Sequence, residues 1–399
     1  MTVLEHSLSL EAPRAMDARR PILAFVLDQE SEGVARAALA DLLTAPSDIQ
    51  RGSVEDAIAR LARERSPHVL LVDLGDRELP ISDIARLAEV CEPGVDVIAV
   101  GVRNEVGFYR DLLQAGVSDY LVRPLTAELM RRAVLGVIDG APSRAEPKLG
   151  KVIALIGSRG GVGTTTISAN LAWHLAEKRS RRVALVDLDL SAGDCALLLN
   201  VKPSSGLRQA LEAPERIDMV FIERAMTRLG DKLFVMSAEE PFADDIMIEW
   251  PALDVLLRAL QREFHYIVID VPRSARRLWP MLSEGGAMRI IVADRVLSSL
   301  RDVRRFRKEG GRPAAGQTLL LINRAGELGR AGMAAQEFAA AAELAPVATV
   351  PFDPAVAFAA DCGIPAAAGQ KRLGTAIAAL AGEISGQRPG RQQWWRFFR

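Results

Sequence analysis

GSRGGVGTTTISANLAWHL, residues 157–175, is the stretch on which the reading of this chain turns. The apolar run KVIALIG (151–157) leads in, three glycines follow at 160, 161 and 163, and a helix-forming segment leads out. Strand, glycine loop and helix in that order make a phosphate site, because loop N–H groups and a helix N-terminus hold anionic oxygens without any side-chain charge. The common pattern is G-x-x-x-x-G-K-[ST], in which the lysine reaches the β- and γ-phosphates. Here Gly163 is followed by Thr164, Thr165 and Thr166, so the ammonium is missing. Arg159, Gly160, Gly161, Val162, Gly163, Thr164, Thr165 and Thr166 remain as candidate phosphate contacts. The plainer alternative is a glycine turn used only for tight strand–helix packing.

Acidic residues downstream favour the phosphate reading. Thr165 falls where the loop hydroxyl meets Mg²⁺. Asp187 and Asp189 close the apolar run RVALVDLDL (182–190), one residue apart and so on one side of a predicted strand. Asp270 closes YIVIDVP (266–272), where a second carboxylate faces the metal through water. In open parallel sheets such strand ends share one crevice. One acid at a strand end is commonly a helix N-cap; three of them after a single glycine loop form a constellation.

The fold class follows from alternation. After a loose leader (1–20), strands are expected at 22–28, 68–74, 96–102 and 119–124, separated by helical segments at 34–43, 82–90, 106–116 and 126–138. A stretch rich in proline, glycine and mixed charge (140–150) reads as a linker. A second alternation occupies 151–385, with strands at 151–157, 182–190, 232–238, 266–272, 289–294, 318–324 and 346–352. Most are short continuous apolar runs, as expected of strands buried on both faces. Two doubly wound α/β domains with mainly parallel sheets are predicted over 21–139 and 151–385, followed by a tail (386–399).

Composition excludes several classes. Apolar residues are 49% and charged residues 25%, a globular balance, and the net charge of −1 supplies no global field for nucleic acid or membrane. The three cysteines (91, 195, 362) and four histidines are scattered, which argues against a disulfide framework or zinc site. The first 20 residues lack a signal-peptide pattern and no run approaches a bilayer span, so a cytoplasmic protein is expected. Two basic stretches, 272–278 and 300–312, read as solvated faces and argue weakly for DNA.

With RGGVGTTT, VDLDL and IVIDVP in hand, the second domain resembles the ParA/MinD superfamily of dimeric ATPases. That resemblance implies ATP or ADP with Mg²⁺ as ligands and a homodimer. It also implies a phosphate-reaching role across the dimer for Arg159, in place of a signature lysine. Asp189 matches the acid that positions the attacking water, Asp187 a neighbouring acid of the site, and Thr165 and Asp270 the Mg²⁺ residues. Asn323, in LLLINR, matches an adenine contact. The departure at Thr164 bears on hydrolysis: a charge-assisted hydrogen bond contributes about 1.5–3 kcal/mol, so its loss slows phosphoryl chemistry about ten- to a few-hundred-fold.

Residues 21–139 resemble a response-regulator receiver domain, with Asp73 at the phosphoacceptor position and Asp28 near the acidic Mg²⁺ pocket. Gly101 replaces the expected hydroxyl residue and Arg123 the expected lysine, so a docking or dimerisation module is expected rather than a phosphorylation switch. The combination is similar to the TadZ/CpaE proteins of Tad (Flp) pilus assembly, as are the phrases FYRDLLQAGVSDYLVRPL and VPFDPAV. This implies a localisation factor at a cell pole that recruits the pilus secretion motor ATPase and other Tad assembly proteins. The tail RQQWWRFFR carries Trp394, Trp395, Phe397 and Phe398 among arginines, a pattern suited to peripheral contact with anionic lipid. The competing reading is a cycling partition-type ATPase acting on DNA or cargo.

Overall fold

The computed structural model describes residues 19–45, 48–77, 79–138, 149–244, 246–309, 317–327 and 332–386. The chain divides into two compact units, Met1–Pro147 and Lys148–Arg399. Most of the leader, residues 140–148 of the expected linker, and Trp394, Trp395, Phe397 and Phe398 of the tail lie outside the described residues.

In the first unit five strands, β1 (Ile22–Val26), β2 (Ile49–Arg51), β3 (Val69–Gly75), β4 (Asp96–Gly101) and β5 (Asp119–Val122), form one sheet in the order β2-β1-β3-β4-β5. Every pairing is parallel. Successive strand side chains point to opposite faces. Leu23, Phe25, Leu70 and Val72 therefore pack with helices Val54–Leu61 and Pro80–Val90. Ile22, Ala24, Val26, Val69 and Leu71 pack on the other face with helices Gln29–Leu39 and Ala127–Ile138. The strand order reverses between β1 and β3, so a crevice opens at their C-terminal ends.

Among the described residues the second unit holds eight strands: β6 (Lys151–Gly157), β7 (Val183–Asp187), β8 (Thr227–Leu229), β9 (Leu233–Met236), β10 (Tyr266–Val271), β11 (Met288–Ala293), β12 (Thr318–Ala325) and β13 (Pro346–Pro351). Their order is β13-β12-β11-β6-β10-β7-β9-β8, parallel throughout except for the β8–β9 edge pair. The loop-bearing strand β6 is central, between β11 and β10. Helix Thr164–Glu177 follows the loop and buries Ile167, Leu171 and Leu175 in the main core. One expectation is corrected here: the strand expected to run to residue 190 ends at Asp187. The Asp189 amide donates to Asp187 Oδ1 at 3.1 Å and the Ala192 amide to Asp189 Oδ1 at 3.0 Å, which turns the chain away from the sheet. Asp187 and Asp189 therefore do not share a strand face.

Candidate functional site

Gly163 caps the helix in the left-handed region (φ 84°), a conformation that disfavours any Cβ. A Cβ there would also lie 2.5 Å from Asn323 Nδ2. At Gly160 and Gly161 a Cβ would meet nothing within 4 Å among the described residues, so open space borders the loop there. Side chains hold the loop's carbonyls. Asn323 Nδ2 donates to the Val162 carbonyl at 2.8 Å and Arg324 Nη1 to the Gly161 carbonyl at 2.9 Å. Arg159 Nη1 donates to the Gly160 carbonyl at 3.0 Å, and Arg273 Nη1 to the carbonyls of Gly157 (3.2 Å) and Ser158.

Asp187 and Asp270 are register partners on adjacent strands, both buried. With Cys195 they form a cluster whose potential ligand atoms lie within 4.8 Å of one another. Burial pushes Asp270 up to about 7, and the negative charge of Asp187 adds to the rise. The Thr165 and Ser168 hydroxyls oppose it, Ser168 Oγ donating to Asp270 Oδ1 at 3.1 Å. Burial likewise raises Asp187, although the amides of Cys195 (3.1 Å) and Asp189 bond to it. Burial raises the Cys195 thiol well above its ordinary value, so it stays protonated. Two buried acids sharing a hydroxyl-lined corner beneath a helix N-terminus fit a hydrated divalent cation, whose charge removes their repulsion.

Thr165, Asp270 and Asp187 are thus brought together, whereas Asp189 stands half-buried on the turn beyond them. Arg159 is folded onto its own chain: its guanidinium pairs with Asp294, at the end of β11, through Nε (3.0 Å) and Nη2. Ser299 Oγ donates to the same acid. Burial alone would raise Asp294, but Arg159 and Ser299 hold it below the usual carboxylate range. One N–H of the Asn323 NH₂ donates to the loop, so its expected base contact would use the other N–H or the carbonyl oxygen. Asp294, Ser299, Arg273 and Arg324 were not foreseen; Arg273, just past Asp270 and paired with Asp302 at 3.0 Å, had a basic run as its only signal.

The crevice of the first unit is closed by charge. Asp28 and Asp73 both pair with Arg123. Asp73 Oδ2 also accepts from the Leu27 amide (3.2 Å) and Oδ1 from the Gly75 amide (3.0 Å), leaving the side chain 0% exposed. Asp28 caps helix Gln29–Leu39; the Ser31 amide and then Arg123 lower its pKa. Gly101 makes room for Tyr120, whose hydroxyl donates to the Arg103 carbonyl at 3.0 Å. A Cβ at Gly101 would lie 2.5 Å from that hydroxyl.

Comparison with known proteins bears on the fold of the second unit. Residues 150–297 match the family model described as an AAA domain. The septum site-determining protein MinD of Bacillus subtilis (strain 168) is 26% identical over 160 residues, which is 40% of this chain and 58% of that protein. The chain spans 58%, 55% and 65% of the lengths of the first three curated MinD relatives it matches. A ParA family ATPase from Chlorobium tepidum TLS superposes with a TM-score of 0.51 at 21% identity, covering 58% of this chain and 98% of that one. The pilus assembly protein CpaE from Caulobacter crescentus CB15 aligns at 31% identity over 29% of this chain and 97% of that chain, with a TM-score of 0.28. The second unit has a P-loop fold of the MinD/ParA type. Among the described residues no helix is long and apolar enough to cross a membrane.

Proposed function

We propose that the chain is a nucleotide-dependent, dimerising localisation factor that binds ATP with Mg²⁺, hydrolyses it slowly or not at all, and positions Tad (Flp) pilus assembly machinery. The observation that carries the nucleotide part is the pairing of an amide-lined loop with the buried Asp187–Asp270 acids around Thr165. Thr165 and Asp270 are the residues that would hold magnesium, with Asp187 beside them. Bound magnesium supplies charge that the two acids and the phosphates both need. The loop amides and helix N-terminus orient the phosphates. Asp189 orients the attacking water, and Asn323 Oδ1 meets the base.

Thr164 decides the rate. It leaves the γ-phosphate without an in-chain ammonium, so binding outlasts chemistry and the nucleotide acts as a switch for dimerisation. Arg159 must leave Asp294 to reach a partner's phosphates. The pilus part rests on the receiver-like first unit with its closed Asp73 pocket, on the sequence phrases shared with the TadZ/CpaE family, and on the basic-aromatic tail. Doubling that tail in a dimer strengthens contact with an anionic membrane surface at the cell pole. The partners are then the secretion motor ATPase and other Tad proteins.

The test combines calorimetry of ATP with magnesium, light-scattering mass and phosphate release on one sample. Expected are ATP binding, a doubled mass and slow turnover, with Thr164→Lys raising turnover about ten- to a few-hundred-fold. Absence of ATP or ADP association at millimolar concentration refutes the nucleotide reading. Brisk turnover by the unsubstituted chain, abolished by Asp189→Ala, refutes the switch.

A further inference from the structure

A trans peptide unit points its N–H opposite to its C=O. Three consecutive loop carbonyls are each held by a side chain: Gly160 by Arg159, Gly161 by Arg324 and Val162 by Asn323. The N–H groups of Gly161, Val162 and Gly163 are thereby turned away from those side chains. Gly160 and Gly161 border open space. A guanidinium on a carbonyl also polarises that peptide, which strengthens the N–H on its far side.

We propose that Arg324 is a positioning residue of the phosphate site. It acts through the Gly161–Val162 peptide and delivers, as bond polarisation and fixed orientation, part of the positive field that Thr164 lacks. The inference deepens the nucleotide reading and rests on it. Several independent features hold Arg324 in this role. It takes a left-handed backbone conformation (φ 55°), uncommon for a residue with a Cβ, directly after Asn323. Glu327 grips its Nε at 2.6 Å and its Nη2, raising the Arg324 pKa while lowering its own. The guanidinium lies over the Phe352 ring, 5.6 Å from its centroid. Backbone, counter-ion and ring together fix one direction for Nη1, which ends on Gly161.

The ligand class is a polyphosphate, free or carried by a nucleoside, so inorganic tripolyphosphate is the discriminating probe. Calorimetry with magnesium on the full chain compares ATP, tripolyphosphate and AMP for the unsubstituted protein, Arg324→Ala, Arg324→Lys and Arg324→Gln. Arg324→Ala is expected to weaken ATP and tripolyphosphate by a similar factor, roughly ten- to a hundred-fold. Arg324→Lys recovers most of that loss, because it keeps a charged donor. Arg324→Gln recovers less, because it keeps at most a neutral one. The melting temperatures of these variants serve as the folding control. Should Arg324→Ala bind tripolyphosphate as the unsubstituted chain does, or the lysine variant bind no better than alanine, the inference is overturned while the nucleotide reading stands. Should the unsubstituted chain bind neither ATP nor tripolyphosphate, both fall together.

Discussion

Asp270 offers a direct test of the buried acid pair. Its carboxyl moves from 3.8 in the unfolded reference to about 7 in the fold. Between those values the folded chain keeps a proton that the unfolded chain has released. Stability of the second unit therefore falls as pH rises through this window and levels off above it. Integrated, the raised pKa removes about 4 kcal/mol of stability by pH 8 and about 2 kcal/mol by pH 5.5, relative to a pH well below 3.8. Asp270→Asn removes the charge yet keeps an oxygen to accept from Ser168. The variant should thus gain on the parent protein by roughly 2 kcal/mol more at pH 8 than at pH 5.5. All five tryptophans lie in the second unit, so urea denaturation followed by tryptophan fluorescence reports that unit without the first. Magnesium should narrow the gap at pH 8, because a cation bound only by the folded parent chain stabilises it and not the variant. An Asn advantage equal at both pH values, or larger at pH 5.5, would show that Asp270 is not held in a protonated, repulsive corner, and the proposed metal position would lose its basis.

Other substitutions probe the rest of the framework. Gly163→Ala places a Cβ in a left-handed cap against Asn323 and should abolish ATP binding in calorimetry while costing about 1–2 kcal/mol of stability. Arg289 is 3% exposed, and among the described residues its Nε and Nη1 find no hydrogen-bond partner. Burial alone lowers its pKa and its guanidinium lies 5.4 Å from the Trp279 ring centroid, so Arg289→Met should stabilise the second unit by about 1–3 kcal/mol in the same urea assay. In the first unit, Gly101→Thr restores a hydroxyl but strikes Tyr120. A loss of roughly 1–3 kcal/mol by circular dichroism melting is expected, part of it recovered by adding Tyr120→Phe. Acetyl phosphate should leave Asp73 unmodified in intact-mass measurements, because Arg123 and two amides already occupy its oxygens.

What was legible in the sequence was what a short window can hold. The glycine loop, Thr165 and the acids at 187 and 270 sit at ends of apolar runs, and each run is a buried parallel strand whose end the sheet gathers into one crevice. Less was legible where an element was too short to show a period. Strand Ile49–Arg51 has three residues and helix Val54–Leu61 eight, and the Ser53 amide donates to Asp56 Oδ2 at 2.7 Å in a capping box at the start of that helix. Asp189 was misplaced for a similar reason. VDLDL alternates as a strand does, but side-chain-to-backbone bonds at Asp187 and Asp189 compete with the ladder and win.

The loss of the lysine is plain at Thr164, while the side chains that hold the loop in its absence are invisible to any local pattern. Arg324 contacts Gly161 across 163 positions and Asn323 contacts Val162 across 161. Asp294 lies 135 positions from Arg159. These residues meet only because the order β12-β11-β6 lines up three C-terminal strand ends. A P-loop lysine performs two tasks from one residue: it carries charge to the phosphates and stays at the loop by its place in the chain. Here the second task is divided among groups at the ends of neighbouring strands, each pinned by its own acid or carbonyl. Such a division preserves the amide cradle, which needs only fixed carbonyls, and leaves the γ-phosphate without a mobile ammonium to follow developing charge. On the reading proposed above, binding and turnover would depend on different halves of the lost lysine, the first kept by the amide cradle and the second forgone.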